Sequence, residues 1–314
     1  MYRFLTAGGF LASVFVFGLL PDSPGKTLVS RAIVRGLINR GLDVGVFKPR
    51  SGHNYWYQYD AFLKCREEGQ LFCQDIIELR EARKGDTLPY VLTNPVDSLM
   101  SPLRVGGYIV GRNWSQFYID EYQTFLHLVM ERYTIYSSDI RNIICINSAV
   151  IKDVLFSEEK FVEEVISKSS ETIRIDSLEK WNQLYENLSS KAILGCYRKV
   201  CEEHGNVLVE GYNDAVCPNP HLVYDLVIGV APGVAIFYEP ERFGQIIKFM
   251  KDLGRDPLGL RAENILEYAK DIKTIRVPSL VAEEKKDTDV LSEKLNLIVD
   301  YVEERLENKS LRTG

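Results

Sequence analysis

Apolar positions along this chain alternate between short continuous runs and helical periodicity. Phe15-Val16-Phe17 is a run without a polar residue, as expected of a strand buried on both faces. It breaks into a Pro/Gly turn, Leu20-Pro21-Asp22-Ser23-Pro24-Gly25, after which Val29, Ile33 and Leu37 recur at helical spacing until Gly41. Leu42 to Phe47 predicts a second strand, ending at Lys48-Pro49-Arg50-Ser51-Gly52. From Asp60 to Arg83, Ala61, Leu63, Leu71, Ile76, Ile77 and Leu79 stand among many charges and predict one or two helices. The prolines and glycines between Gly85 and Asn113 predict a long loop, with a short hairpin through Tyr108–Val110 and Phe117–Ile119. Helices are expected over 120–133, 158–167, 177–188 and 192–204, and strands over 142–147, 206–211, 226–230, 234–238 and 273–277. An amphipathic helix over 289–307, with a solvated charged face, follows. Strands alternating with helices predict an α/β fold with a three-layer, doubly wound, mostly parallel sheet. The expectation is one domain over 1–314, with an insertion or lid-like segment around 85–135.

Composition narrows the partners. The net charge of −6 argues against a nucleic-acid or anionic-membrane surface as the main partner. The six cysteines are scattered without a C-x-x-C pair, which fits reduced, packed thiols and a cytoplasmic setting. The four histidines show no metal-ligand spacing. An apolar Met1–Leu20 bearing only Arg3 also fits a signal peptide or anchor. Ala7-Gly8-Gly9 interrupts that run, and Phe15–Phe17 is needed as the strand.

The chemistry begins where the first strand meets the first helix. Gly25-Lys26-Thr27 opens a helix after a strand and a turn, the setting of a phosphate-binding loop. Backbone N–H groups and the positive helix end cradle phosphates, the lysine reaches the outer ones, and the threonine hydroxyl binds Mg²⁺. Asp22, Ser23, Pro24, Gly25, Lys26, Thr27 and Leu28 are the candidate nucleotide-binding residues. The strict pattern has a glycine five residues before Gly25, where this chain has Leu20; its glycine is Gly18. Glu210 ends a strand that would lie beside the loop strand, where an Mg²⁺-binding acid belongs, although a strand-end acid can equally be a solvated carboxylate. Lys48 ends the neighbouring strand, and Asp60 opens a helix, where it can also act as a first-turn acid.

Four blocks resemble dethiobiotin synthetase and its relatives among the P-loop amidoligase-like ATPases: Gly25-Lys26-Thr27, Lys48-Pro49-Arg50-Ser51-Gly52, Gln58-Tyr59-Asp60-Ala61 and Val209-Glu210-Gly211. They run in family order, and Asn94-Pro95 to Pro102 echoes a proline-bearing segment between them. The resemblance implies a P-loop NTPase fold binding ATP and Mg²⁺, with Lys26 on the β/γ phosphates and Thr27, Asp60 and Glu210 at the metal. It also implies Lys48 and Ser51 near a small carboxylate or carbamate that accepts the γ-phosphoryl group. It further implies a homodimer with the acceptor pocket near its interface. Tyr108, Trp114, Phe117, Tyr118 and Tyr122 concentrate aromatics in a Gly-interrupted region, either as interface anchors or as a satellite cluster packed under a long loop. The chain departs from the family at Leu19-Leu20-Pro21-Asp22-Ser23, where an acid that holds the diamine is replaced by Ser23, and at Tyr212-Asn213-Asp214. A nucleotide-sensing domain without catalysis therefore stays open as an alternative. So does a ParA/MinD-like switch, although no lysine precedes Lys26 between Phe15 and Gly25.

Overall fold

The computed structural model describes residues 5–6, 9–10, 12–22, 24–149 and 153–313. In chain order its main elements are β1 (Ala12–Gly18), α1 (Lys26–Asn39), β2 (Val44–Phe47), β3 (Arg50–Asn54), α2 (Tyr59–Glu68) and α3 (Gln74–Ala82). Then follow β4 (Val96–Met100), α4 (Val105–Gly111), α5 (Trp114–Glu121), β5 (Leu128–Tyr136), β6 (Ile140–Asn147), α6 (Glu159–Ser167) and β7 (Glu171–Ile175). The chain continues through α7 (Leu178–Glu203), β8 (Asn206–Glu210), β9 (Leu226–Ala231), β10 (Val234–Tyr238), α8 (Pro240–Asp252), β11 (Asp271–Arg276), α9 (Thr288–Lys294) and α10 (Asn296–Thr313).

Where the sequence predicted one domain, the chain divides into two compact units. The first takes the residues through Arg50, Asp75–Pro89 and everything from Tyr197 onward. The second takes Ser51–Gln74 and Tyr90–Cys196.

The first unit is built on a sheet of order β11-β10-β9-β1-β8-β2. Its strands β2, β8, β1 and β9 run parallel, and β10 and β11 add antiparallel edges. The uncharged run 12–18 is buried along its whole length at the centre, as expected of a strand between parallel neighbours. Phe15 stacks on Tyr224, and Phe17 meets Tyr238 and Phe243 of α8. Truncating a ring like Phe17 to alanine costs about 3–5 kcal/mol. Helix α1 packs on β1, β2, β8 and β9 and is itself covered by α9 and α10. At Gly36 an added Cβ would lie 2.5 Å from Val299, so the glycine is what lets α1 and α10 approach.

The second unit carries the sheet β3-β4-β5-β6-β7, antiparallel from β4 to β6 and parallel between β6 and β7. Here the sequence reading needs correction. Of the helix expected over 120–133 only short helical pieces form before residue 128, and 128–133 belong to strand β5, whose polar residues are buried and partnered in the sheet rather than lining a wet helix face. Glu131 accepts from Ser98 Oγ at 2.7 Å and from Trp181 Nε1 at 2.6 Å. Arg132 donates to the Leu71 and Pro95 carbonyls, each at 3.0 Å. The loop and hairpin expected within 85–119 are strand β4 and helices α4 and α5. The lid-like segment of 85–135 therefore supplies β4 and most of β5, part of the second unit's own frame. The two helices expected over 177–204 are the single α7.

Candidate phosphate-loop site

Within the first unit, β1 delivers the chain to its loop at Gly18. The Gly18 N–H donates to the Asn213 carbonyl at 3.1 Å, and the Leu19 N–H to the Val230 carbonyl at 2.9 Å. A Cβ on Gly18 would come within 2.7 Å of both the Asn213 oxygen and a Pro24 ring carbon. The loop folds back over this position and leaves no room for a side chain at 18. Gly25 has φ 90° and caps α1 in the left-handed region without a side-chain cap, a conformation that disfavours other residues. Helix α1 carries no acid in its first turn. Its first N–H groups, including those of Lys26, Thr27 and Leu28, lack intrahelical acceptors and leave the positive end open to an anion. Asp22 is exposed, Pro24 buried and Leu28 half-buried, while Ser23 lies outside the described residues.

Lys26 is 8% exposed, and no acid among the described residues forms an ion pair with it. Burial, and then the nearby Lys48 ammonium, lower its pKa. Strand register explains the rest of the cluster. Val209 of β8 pairs with Phe47 of β2, so the next residue of each strand, Glu210 and Lys48, emerge side by side. Lys48 Nζ lies 2.8 Å from Glu210 Oε1, 2.6 Å from Asp75 Oδ2 and 3.0 Å from the Gly211 carbonyl. The Thr27 hydroxyl stands 3.1 Å from both Asp75 Oδ1 and Glu210 Oε1. Glu210 is fully buried, and its Oε2 has no hydrogen-bond partner among the described residues. Burial alone would raise the Asp75 pKa. The Lys48 ammonium overrides it and, with Lys26 and the Thr27 hydroxyl, holds the carboxyl below its usual range. Beyond Gly211, the Arg50 guanidinium lies 5.5 Å above the Tyr212 ring.

The structure thus brings Lys26, Thr27, Lys48 and Glu210 together and adds Asp75, which the sequence reading missed. Asp60 and Ser51 belong to the second unit. Asp60 is exposed in the first turn of α2. The Ser51 hydroxyl donates to Asp97 Oδ1 at 2.6 Å and contacts Asn94 Oδ1 at 3.1 Å. Asp97 Oδ2 stands 2.9 Å from His53 Nδ1, yet neither atom makes a well-formed hydrogen bond, so the contact is electrostatic. Burial lowers the His53 pKa, but Asp97 and then Cys65 outweigh it and raise it to about 10. Ser51 is therefore committed to a buried polar network inside its own unit.

Two carboxylates and a hydroxyl form a hard-oxygen donor set. Mg²⁺ is commonly held by one or two carboxylates together with substrate phosphates, rather than by a cage of protein ligands. Among the described residues no group of three or more His, Cys, Asp or Glu side chains could hold a metal by itself. None of the described helices is long and apolar enough to cross a membrane. Set against protein-family models, curated proteins and solved structures, the chain shows no match.

Proposed function

We propose that the first unit is a P-loop NTPase-type domain and that the chain is an Mg–ATP-dependent enzyme resembling dethiobiotin synthetase. In this reading it transfers the γ-phosphoryl group to a small carboxylate or carbamate. The observation that carries it is the convergence of Lys26, Thr27, Lys48, Asp75 and Glu210 where a strand, a left-handed glycine and an uncapped helix end meet. The α1 N–H groups and Lys26 bind and orient the phosphates. Thr27, Asp75 and Glu210 would hold Mg²⁺, whose chemistry here is to neutralise charge on the β/γ oxygens. The donor set fits that ion, and the unpartnered Glu210 Oε2 is a buried lone-pair site with nothing else to satisfy it. The metal role expected of Asp60 passes to Asp75, because Asp75 meets Thr27 and Lys48 within one unit. Lys48 bridges the two carboxylates and offsets one of their two negative charges.

A second reading, nucleotide sensing without turnover, is favoured by Ser51, whose hydroxyl is engaged by Asp97. ADP release from Mg–ATP with a panel of amines and bicarbonate separates the two. We also read the protein as a cytoplasmic homodimer. Exposed Trp114, Tyr118 and Tyr122 support the dimer, since a contiguous apolar surface patch marks a contact site.

Calorimetry with Mg–ATP tests the site. Lys26→Ala removes the phosphate cation and should weaken binding by well over tenfold, a loss above about 1.4 kcal/mol. Equal affinity in the two proteins would refute the reading.

A further inference from the structure

Lys48 holds a position that a metal site does not ordinarily give to a side chain. Its ammonium contacts both carboxylates of the candidate Mg²⁺ site, at 2.8 Å and 2.6 Å, and the Gly211 carbonyl at 3.0 Å. The side chain is 2% exposed, and Glu210 is 0% exposed. A small cation in contact with the same Glu210 and Asp75 oxygens would sit within a few ångströms of Nζ, where two positive charges repel strongly at low dielectric. The Thr27 hydroxyl likewise faces those carboxylates, sharing Glu210 Oε1 with Lys48. One of the two negative charges is thus already balanced by a cation tethered to the chain, which contacts both acids.

We propose that Lys48 is a built-in counter-cation. It occupies the metal position in the nucleotide-free protein, so a divalent ion enters only together with nucleotide phosphates. Resting on the Mg–ATP reading above, this adds an order of binding to it. Free Mg²⁺ must separate Lys48 from Asp75 and Glu210 without bringing an anion to take up the ammonium. An arriving metal–nucleotide complex supplies phosphate oxygens that take up the displaced lysine. The positive end of α1 and Lys26 favour that complex and oppose the bare ion.

The test is a Mn²⁺ titration of nucleotide-free protein, followed by the paramagnetic signal of the free ion, on wild type and Lys48→Met. Methionine keeps an unbranched stem and removes the charge. The expected result is binding of Mn²⁺ alone at least tenfold tighter in Lys48→Met than in wild type. Mg²⁺ alone should raise the variant's melting temperature while leaving the wild type's in place. Equal or weaker Mn²⁺ binding by the variant overturns the proposal. Wild type is also titrated with Mn²⁺ plus ATP. Failure of that complex to bind would count against the nucleotide reading, while the metal-only comparison still decides the role of Lys48. Should the variant not fold even with Mg²⁺, ¹⁵N-lysine NMR of wild type carries the test. A Lys48 ammonium signal protected in metal-free protein should stay with Mg²⁺ alone and change with Mg²⁺ plus a non-hydrolysable ATP analogue. Its displacement by Mg²⁺ alone overturns the proposal.

Discussion

Glu210→Gln removes one charge at the most buried point of the cluster without changing its shape. In the native protein Glu210 Oε1 accepts from Lys48 at 2.8 Å and stands 3.1 Å from the Thr27 hydroxyl. With glutamine at 210, the Lys48 ammonium keeps Asp75 and the Gly211 carbonyl but loses a fully buried countercharge. Breaking a buried pair by removing one partner costs roughly 3–5 kcal/mol. Asp75 remains as a second partner, and its side chain is 36% exposed, so water relieves part of the loss. The lower end, about 3 kcal/mol, is expected. For a unit of this size that lowers the melting temperature by roughly 6–12 °C. Scanning calorimetry near neutral pH measures it, with Lys168→Ala as a comparison, since the exposed Lys168–Glu164 pair is worth less than about 1 kcal/mol. A change in Glu210→Gln as small as that of Lys168→Ala would refute the view that burial makes this cluster energetically distinct.

Three further outcomes are expected. Burial lowers the His204 pKa, but Asp86 and Asp43 outweigh it and raise it above 6.5; Asp43 Oδ2 lies 3.0 Å and Arg83 Nη2 3.2 Å from Nδ1, and Asp86 Oδ1 3.6 Å from Nε2. The stabilisation is therefore complete below the unfolded pKa and lost as pH rises through the folded one. Melting temperatures of wild type and His204→Gln should converge over that rise, and a constant gap would contradict the pairing. Gly18→Ala, whose Cβ meets a backbone oxygen at 2.7 Å, should open the loop, lowering stability by at least about 1–3 kcal/mol and weakening ATP binding in calorimetry; unchanged binding would place nucleotide elsewhere. Trp114 is 45% exposed, so Trp114→Ala should shift a dimer toward monomer in sedimentation without lowering its melting temperature, and a monomeric wild type at micromolar concentration ends the dimer reading.

The sequence disclosed the parts of this site that local chain geometry decides. Gly25-Lys26-Thr27 is legible because strand, left-handed turn and helix start are set by neighbouring residues. Glu210 and Lys48 are legible because each terminates an apolar strand, and parallel pairing brings such ends to one edge of a sheet. Asp75 was illegible for a specific reason. Asp60 and Asp75 each occupy the second position of a helix, so nothing local separates them; only the fold brings Asp75 to Thr27. Strand β5 was hidden because Glu131, Arg132 and Thr134 are buried polar residues, and their polarity imitates a wet helix face. Helix α4 was hidden by Gly106, Gly107 and Gly111, whose low helix propensity reads as loop until the surrounding chain overrides it.

The charge balance of the cluster bears directly on what it can receive. Lys26 and Lys48 stand against Asp75 and Glu210, and the Asp75 carboxyl is held in its ionised form by Lys48. Apart from the open end of α1, such a site offers little net attraction to a bare anion. Free nucleotide would add uncompensated negative charge beside two carboxylates, and a free divalent ion would meet two ammonium groups. A metal–nucleotide complex brings both signs together, with phosphates toward Lys26 and the α1 N–H groups and the cation toward Thr27, Asp75 and Glu210. Electrostatics of this kind would favour the preformed complex over either component, which ties the proposed Mg–ATP specificity and the proposed tethered-cation role of Lys48 to one arrangement of five side chains.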